Sequence, residues 1–143
     1  MLVKLGMWLL GLVYLAWGVP AVLAPHWFFD HFPGFVIGGR SQHWTAAYPP
    51  YNEHLMTDVG VAATTLGGML IAAAILGDRL VNAVVLVAVA FYEGLHLLFH
   101  LREHGMQSGA ALWLSLASLT AGVLFPLALL TMDRIRSPRD RQA

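Results

Sequence analysis

Four long runs of apolar residues dominate the chain, and only a few polar side chains interrupt them. A helix needs about 20 mostly apolar residues to cross the hydrocarbon core of a bilayer. Four runs meet that length, at residues 2–24, 55–76, 80–101 and 110–132. The pattern predicts an all-α fold: a four-helix transmembrane bundle that forms a single membrane domain over residues 1–143. We expect the first helix to be retained as a span rather than cleaved as a signal, because Pro25 follows it directly.

The amino-acid composition mainly excludes classes of protein and of chemistry. Hydrophobic residues make up 58% of the chain and charged residues only 11%, whereas soluble domains carry about 25% charged residues. A soluble or disordered chain is therefore excluded. The absence of cysteine excludes disulfides, thiolate metal sites and thiol catalysis. With zero net charge and no basic stretch before the tail, nothing in the sequence points to nucleic-acid binding.

The distribution of lysine and arginine predicts the orientation. Four spans place both termini on one side, and that side carries Lys4, Arg79 and the arginines of the tail at residues 133–143. The opposite side carries Arg40 and Arg102 alone. Because cytoplasmic segments are enriched in basic residues, we expect an N-in, C-in protein of the bacterial cytoplasmic (inner) membrane, with both termini in the cytoplasm.

The connection at residues 25–53 is long for so small a protein and rich in aromatic residues. Long loops in compact proteins are usually functional or disordered, and so many rings are not expected to stay in water. We therefore expect an extracytoplasmic loop that lies in the membrane interface and covers the outer end of the bundle.

All seven histidines fall in the outer half of this topology. Glu93, His96 and His100 are spaced so that they share one face of the third helix. His54 and Asp58 are four residues apart and share a face of the second helix. A tight turn joins these two helices, so the five side chains are expected to meet in one polar cluster near the outer face. Acids inside a span are costly and usually find partners, which favours such a cluster.

Three chemistries fit the cluster, and the sequence leaves all three open. Imidazole and carboxylate ligands suit a transition metal such as Fe, Cu or Zn. A histidine pair, His54 with His96 or His100, is also able to hold haem b axially. Without a cofactor, the same groups form a structural or proton-relay network. The expected metal ligands are His54, Asp58, Glu93, His96 and His100, further candidates are His26, His31, His43 and His104, and outer partners are Glu53 and Thr65.

One motif carries a resemblance to known proteins. The chain reads Pro-Tyr-Asn-Glu-His-Leu at residues 50–55, then Asp-Val-Gly at 58–60, and later His96-x-x-x-His100. It resembles a group of small four-helix bacterial membrane proteins with this signature and, more loosely, DoxX-like and DUF4345-type membrane proteins. The resemblance covers about residues 8–104. The resemblance implies the four-helix fold and draws attention to the residues of the motif. It implies no activity, so whether the chain is an enzyme stays open.

Two classes of function follow from these residues. The first is a membrane protein with a His/carboxylate metal site near the extracytoplasmic face, such as an oxidoreductase acting on a lipophilic substrate. The second is a non-catalytic subunit of a larger membrane complex, in which the polar cluster fixes helix packing or relays protons. The expected partners are the lipid bilayer and either other membrane subunits or further copies of the chain.

Overall fold

The computed structural model describes residues 1–37 and 40–135. Its elements, in chain order, are α1 Leu2–Leu23, α2 Pro25–His31, β1 Pro33–Ile37, β2 Arg40–His43, α3 Glu53–Leu76, α4 Arg79–Arg102 and α5 Gly109–Ile135. Helices α1, α3, α4 and α5 are each long and apolar enough to cross a membrane. The predicted four spans are therefore confirmed as helices, with ends shifted by at most a few residues. Residues 136–143 of the predicted tail lie outside the described part.

Local sequence explains where the helices begin and end. The Asn52 side chain accepts a hydrogen bond from the Leu55 backbone at 3.0 Å, and Asp78 accepts one from Val81 at 2.9 Å, so these two residues cap α3 and α4. Gly77 has a φ of 70°, the left-handed conformation that ends a helix and favours glycine. The turn between α3 and α4 is consequently very short, as the sequence predicts.

Helix α1 packs closely along α3, and α4 packs along α5. Glycines make the first of these contacts close: a Cβ on Gly18 would lie 2.7 Å from the Thr64 backbone nitrogen, and one on Gly67 would lie 2.9 Å from the Gly11 carbonyl oxygen. Small residues let helix backbones approach each other in this way. Contacts between α3 and α4 are sparser, although a tight turn joins them. The main core is apolar, and Met7, Leu70, Leu86 and Val89 are buried there completely.

The all-α expectation needs one correction in the connection between α1 and α3. That segment contains the short helix α2 and an antiparallel pair of strands, in which Ile37 lies opposite Arg40 and Pro33 opposite His43. Aromatic rings hold it together, because Phe28 and Phe29 are buried in a second small core with Ala21 and Met56. We call the end of the bundle that carries this segment the loop side, and the opposite end the tail side.

Many large apolar side chains on the four long helices remain exposed. Leu9, Leu12 and Val13 of α1 are each more than half exposed, as are Val84 and Phe91 of α4. Contiguous exposed apolar surface of this kind is not tolerated in water. The exposed faces and the four apolar helices together indicate an integral membrane protein in a lipid bilayer.

Candidate functional site

One face of α4 carries the polar side chains of the bundle interior. Glu93, His96 and His100 follow each other at spacings of three and four residues, which places them on one face of the helix. Towards the tail side, the same face continues through Val89 and Leu86, both fully buried. An apolar stretch therefore separates these polar groups from the next polar residue of the face, Asn82, near the tail-side end of α4.

Glu93 lies in the bundle interior with only 6% of its surface exposed. The Tyr14 hydroxyl of α1 donates a hydrogen bond to the Glu93 Oε1 atom. On the other side, a Cβ on Gly122 of α5 would lie 2.9 Å from Oε2, so this glycine leaves the space that the carboxyl group occupies. The carboxyl group thus sits where α1, α4 and α5 meet.

Tyr14 is a partner that sequence reasoning missed. It carries the single hydroxyl group of α1. It also lies nine residues from the loop-side end of its helix, as does Glu93 in α4. Nine residues correspond to about 14 Å of helix, so the two groups share one depth. Matching the depths of polar groups in different spans was the signal that could have identified the pair.

The two histidines of α4 continue the polar face towards the loop side. The Nε2 atoms of His96 and His100 are 3.0 Å apart, and the Nδ1 atom of His100 lies 2.7 Å from the Tyr48 hydroxyl oxygen. Tyr48 in turn donates a hydrogen bond of 3.0 Å to the Glu103 backbone carbonyl. We call the series His96, His100 and Tyr48 the histidine–tyrosine chain.

Hydrogen-bond chemistry gives this chain a direction. A carbonyl oxygen only accepts, so Tyr48 donates to Glu103 and its oxygen accepts from the Nδ1–H group of His100. A neutral imidazole carries one proton, so the Nε2 atom of His100 accepts from the Nε2–H group of His96. If Tyr48 turns its proton towards His100 instead, every bond of the chain reverses. Two complete arrangements of this kind are what a proton relay requires.

Tyr48 lies outside the spanning helices, and its surroundings favour the neutral phenol. Burial of the ring, and next the negative charge of Glu103, raise the pKa of Tyr48 above its usual value of 10.0. Its hydroxyl therefore keeps its proton at neutral pH and is able both to donate and to accept. This is the protonation state that the histidine–tyrosine chain needs.

The structure does not bring His54 and Asp58 to this site. Their side chains pair with each other at 3.4 Å, and they are 89% and 61% exposed. The reason is that α3 turns its face of small residues, including Gly60 and Gly67, towards α1. The five-residue cluster expected from the sequence is therefore replaced by two separate groups: Glu93, His96 and His100 in one, and the His54–Asp58 pair in the other.

The histidines of the loop make local contacts. His26 pairs with Asp30 through Nδ1 at 3.2 Å. The Nδ1 atom of His31 lies 2.8 Å from the Trp27 carbonyl oxygen, and that of His43 lies 2.5 Å from the Asp30 carbonyl oxygen. These contacts orient the rings within the loop segment, away from the histidine–tyrosine chain.

The remaining candidate site residues also lie outside the histidine–tyrosine chain. The Nδ1 atom of His104 lies 2.7 Å from the His100 carbonyl oxygen, which anchors its ring on the end of α4. Glu53 begins α3 and is exposed, and Thr65 is exposed further along α3. Thr65 therefore does not extend a polar site inwards.

These placements bear directly on metal binding. Within residues 1–37 and 40–135, no group of three or more histidine, aspartate or glutamate side chains is close enough to hold a metal ion. The Nε2 atoms of His96 and His100 do converge, and they would supply two ligands. A metal at this position would need its other ligands from outside the described residues.

Comparison with known proteins identifies no relative. No protein-family model, curated protein or solved structure matches this chain. Its function has to be inferred from the arrangement of its own residues.

Proposed function

We propose that this integral membrane protein takes up and releases protons at Glu93, with the histidine–tyrosine chain as the path to the loop-side surface. The observation that carries the proposal is the continuous hydrogen-bonded series from His96 through His100 to Tyr48. Ionisable groups inside a membrane protein are costly, and where they persist they commonly mark proton or ion pathways. Glu93 lies one helical turn from His96, a gap that we expect a single water molecule to bridge.

The proposed path opens on one side only. Between Glu93 and the next polar residue of this face, Asn82, the face is closed by Val89 and Leu86, both fully buried. This separation is about 16 Å along the helix. An apolar stretch of that length supports proton exchange with the loop side rather than conduction through the bilayer. Such a one-sided site suits a subunit that supplies or accepts protons for a reaction in a larger membrane complex.

The distribution of basic residues supports an orientation for this site. Lys4 and Arg79 lie on the tail side, against Arg40 and Arg102 on the loop side, and the sequence carries four more arginines after Asp133. We therefore place both termini in the cytoplasm of a bacterium and the protein in its inner membrane. The histidine–tyrosine chain then exchanges protons with the extracytoplasmic face.

Proton exchange at Glu93 is measurable by infrared spectroscopy. The full-length protein is placed in lipid nanodiscs and transferred to D2O, and the protonated carboxyl band is assigned with Glu93→Gln. We expect the exchange rate of this band to fall at least about tenfold in His100→Phe, because the path loses its central group. The control is His54→Phe, which changes an exposed histidine outside the path and should leave the rate unchanged. Equal rates in all three proteins would contradict the proposal.

Metal binding is the second candidate, and one distance favours it. Two nitrogen ligands of a tetrahedral metal ion lie about 3.3 Å apart, and the Nε2 atoms of His96 and His100 are 3.0 Å apart. In this alternative, Fe, Cu or Zn binds the pair, and a lipophilic substrate or another subunit supplies the remaining ligands. An oxidoreductase would fit such an open site. The haem b alternative has no comparable support, because His54 is exposed and paired with Asp58.

Elemental analysis separates the two candidates. If metal binds the histidine pair, detergent-purified protein should contain close to about one metal ion per chain, and His96→Ala should lose it. Less than about 0.2 metal ions per chain, unchanged in His96→Ala, would contradict metal binding. The same variant should slow proton exchange at Glu93 whether or not metal is found.

A further inference from the structure

A hollow of about 340 Å³ lies between the loop-side end of α1, helix α2 and strand β1. Most of its lining is apolar or aromatic, from Val13, Ala16, Trp17, Trp27, Phe28 and Phe32. This volume is at the lower end of the range that small-molecule sites occupy, about 300–1,000 Å³. The hollow is separate from the histidine–tyrosine chain, none of whose residues lines it.

The hollow continues the lipid-facing surface of α1. Val13 and Ala16 line it and are both exposed, and Leu9 and Leu12 carry the same face of α1 further into the bilayer. Lipid chains must cover this face in a membrane, because it is apolar and otherwise unpartnered in the described structure. The part of an occupant that lies along this face of α1 must itself be apolar.

His31 gives the hollow a polar end. Its ring stacks on Trp27 with the ring centroids 5.0 Å apart and the planes inclined by 12°. The Nδ1 atom lies 2.8 Å from the Trp27 carbonyl oxygen, so it must carry the proton, and the Nε2 atom of the neutral ring is left as an acceptor. None of the residues found to line the hollow is a lysine or arginine. This polar end therefore suits a hydroxyl donor better than an anionic headgroup.

We propose that this hollow binds the apolar tail of a neutral membrane lipid whose hydroxyl group donates a hydrogen bond to His31. Near the hydroxyl group the tail lies among the rings of Trp17 and Phe28, and from there it runs along Ala16 and Val13 into the bilayer. The lipid enters sideways from the leaflet on the loop side, because the hollow is open along α1. The site is independent of proton exchange at Glu93, and either one is able to exist without the other.

Photo-crosslinking tests the site on the full-length protein in nanodiscs. The probe is a diacylglycerol with a diazirine in one acyl chain, and the labelled residues are mapped by peptide mass spectrometry. We expect labelling to concentrate at residues 13–20 and 27–34. Ala16→Trp fills the hollow and should reduce this labelling several-fold. The matched control is Ala72→Trp, the same change at an exposed alanine of α3, which should leave it unchanged.

The role of His31 has its own test. The wild-type protein should prefer the diacylglycerol probe over its methyl ether by about three- to tenfold, the value of one hydrogen bond. His31→Phe keeps a ring against Trp27 but removes the acceptor, so this preference should disappear. Labelling spread evenly over all four long helices, or unaffected by Ala16→Trp, would overturn the site. Better competition by anionic phosphatidylglycerol than by diacylglycerol would overturn the role given to His31.

Discussion

At the scale of single residues, the group that faces a histidine ring decides which of its two nitrogen atoms carries the proton. Backbone carbonyl oxygens face Nδ1 of His31, His43 and His104, whereas the Tyr48 hydroxyl faces Nδ1 of His100. All four rings should therefore carry their proton on Nδ1, and His96 should carry it on Nε2. Nitrogen-15 NMR of histidine-labelled protein at neutral pH distinguishes these forms. Tyr48→Phe should shift the proton of His100 to Nε2, and an unprotonated Nδ1 of His100 in the wild type would contradict the assigned direction.

The Tyr14–Glu93 hydrogen bond should be visible in stability. Tyr14→Phe keeps the ring but leaves a buried carboxyl oxygen without its donor, so the free energy of unfolding should fall by about 1–3 kcal/mol. The control is Thr120→Val, which removes an exposed hydroxyl that donates to the Leu116 carbonyl oxygen of its own helix. Unfolding in mixed micelles measures both variants. Equal stabilities of the two would argue against an important Tyr14–Glu93 contact.

Tyr48 should make the loop side sensitive to alkaline pH. Burial raises the pKa of this phenol above 10.0 in the folded protein, so folding disfavours its ionised form. The stability that the phenol contributes is therefore complete below pH 10 and is lost as the pH rises through the raised pKa. Thermal unfolding of the wild type should show this loss, and Tyr48→Phe should be less stable at neutral pH but lack the alkaline step. An identical alkaline step in Tyr48→Phe would assign the effect to other groups.

At the scale of the elements, glycines determine which helix faces pack. A Cβ on Gly18 would press against the Thr64 backbone of α3, whereas one on Gly68 would meet nothing within 4 Å. Gly18→Ala should therefore lower the free energy of unfolding by about 1–3 kcal/mol, because the two backbones must separate. Gly68→Ala should change it by less than about 1 kcal/mol, in the stabilising direction, through better helix propensity. The opposite order of stabilities would show that α1 and α3 do not meet at Gly18.

At the scale of the whole molecule, a buried polar contact joins the two closely packed helix pairs, because Glu93 of α4 bonds to Tyr14 of α1. Arg79 at the start of α4 lies 3.5 Å from Asp133 near the end of α5, a contact within one pair at the tail side. Tyr48, from the connection between α1 and α3, reaches His100 at the end of α4. The loop side is thus tied together by side chains from separate parts of the chain. Substitutions of Tyr48 and of His100 should therefore both loosen the packing at the loop side.

The orientation of the molecule is also open to test. The chain has no cysteine, so single cysteines report position without a background. His43→Cys should react with a membrane-impermeant maleimide added to intact cells. Arg139→Cys should react only after the cells are opened, because the basic tail is placed in the cytoplasm. The reverse labelling pattern would invert the proposed orientation.

Much of the fold is determined by the sequence alone. Apolar runs of about 20 residues have few alternatives to a spanning helix, because backbone groups in lipid must be satisfied within the segment. For this reason the predicted spans at residues 55–76 and 80–101 agree closely with α3 Glu53–Leu76 and α4 Arg79–Arg102. The regular spacing of a helix likewise placed Glu93, His96 and His100 on one face.

The tertiary structure decided which faces meet. A membrane-spanning helix turns apolar side chains both to the lipid and to its neighbours, so its polar residues alone do not show which face turns inwards. Adjacency in sequence wrongly favoured a meeting of α3 and α4 at His54 and Asp58, which are exposed. The face of α3 that packs against α1 instead carries Gly60 and Gly67. Close backbone approach depends on the shape of both partners at once, and one helix sequence contains only half of that information.

The candidate site shows the same division. The sequence determined that two histidines and an acid share the loop-side half of one helix. Only the folded chain brought Tyr14 from α1 and Tyr48 from the loop segment to these groups. A hydrogen bond needs its two atoms within about 3 Å, and residues separated by 79 and 52 positions in sequence reach that distance only through tertiary packing.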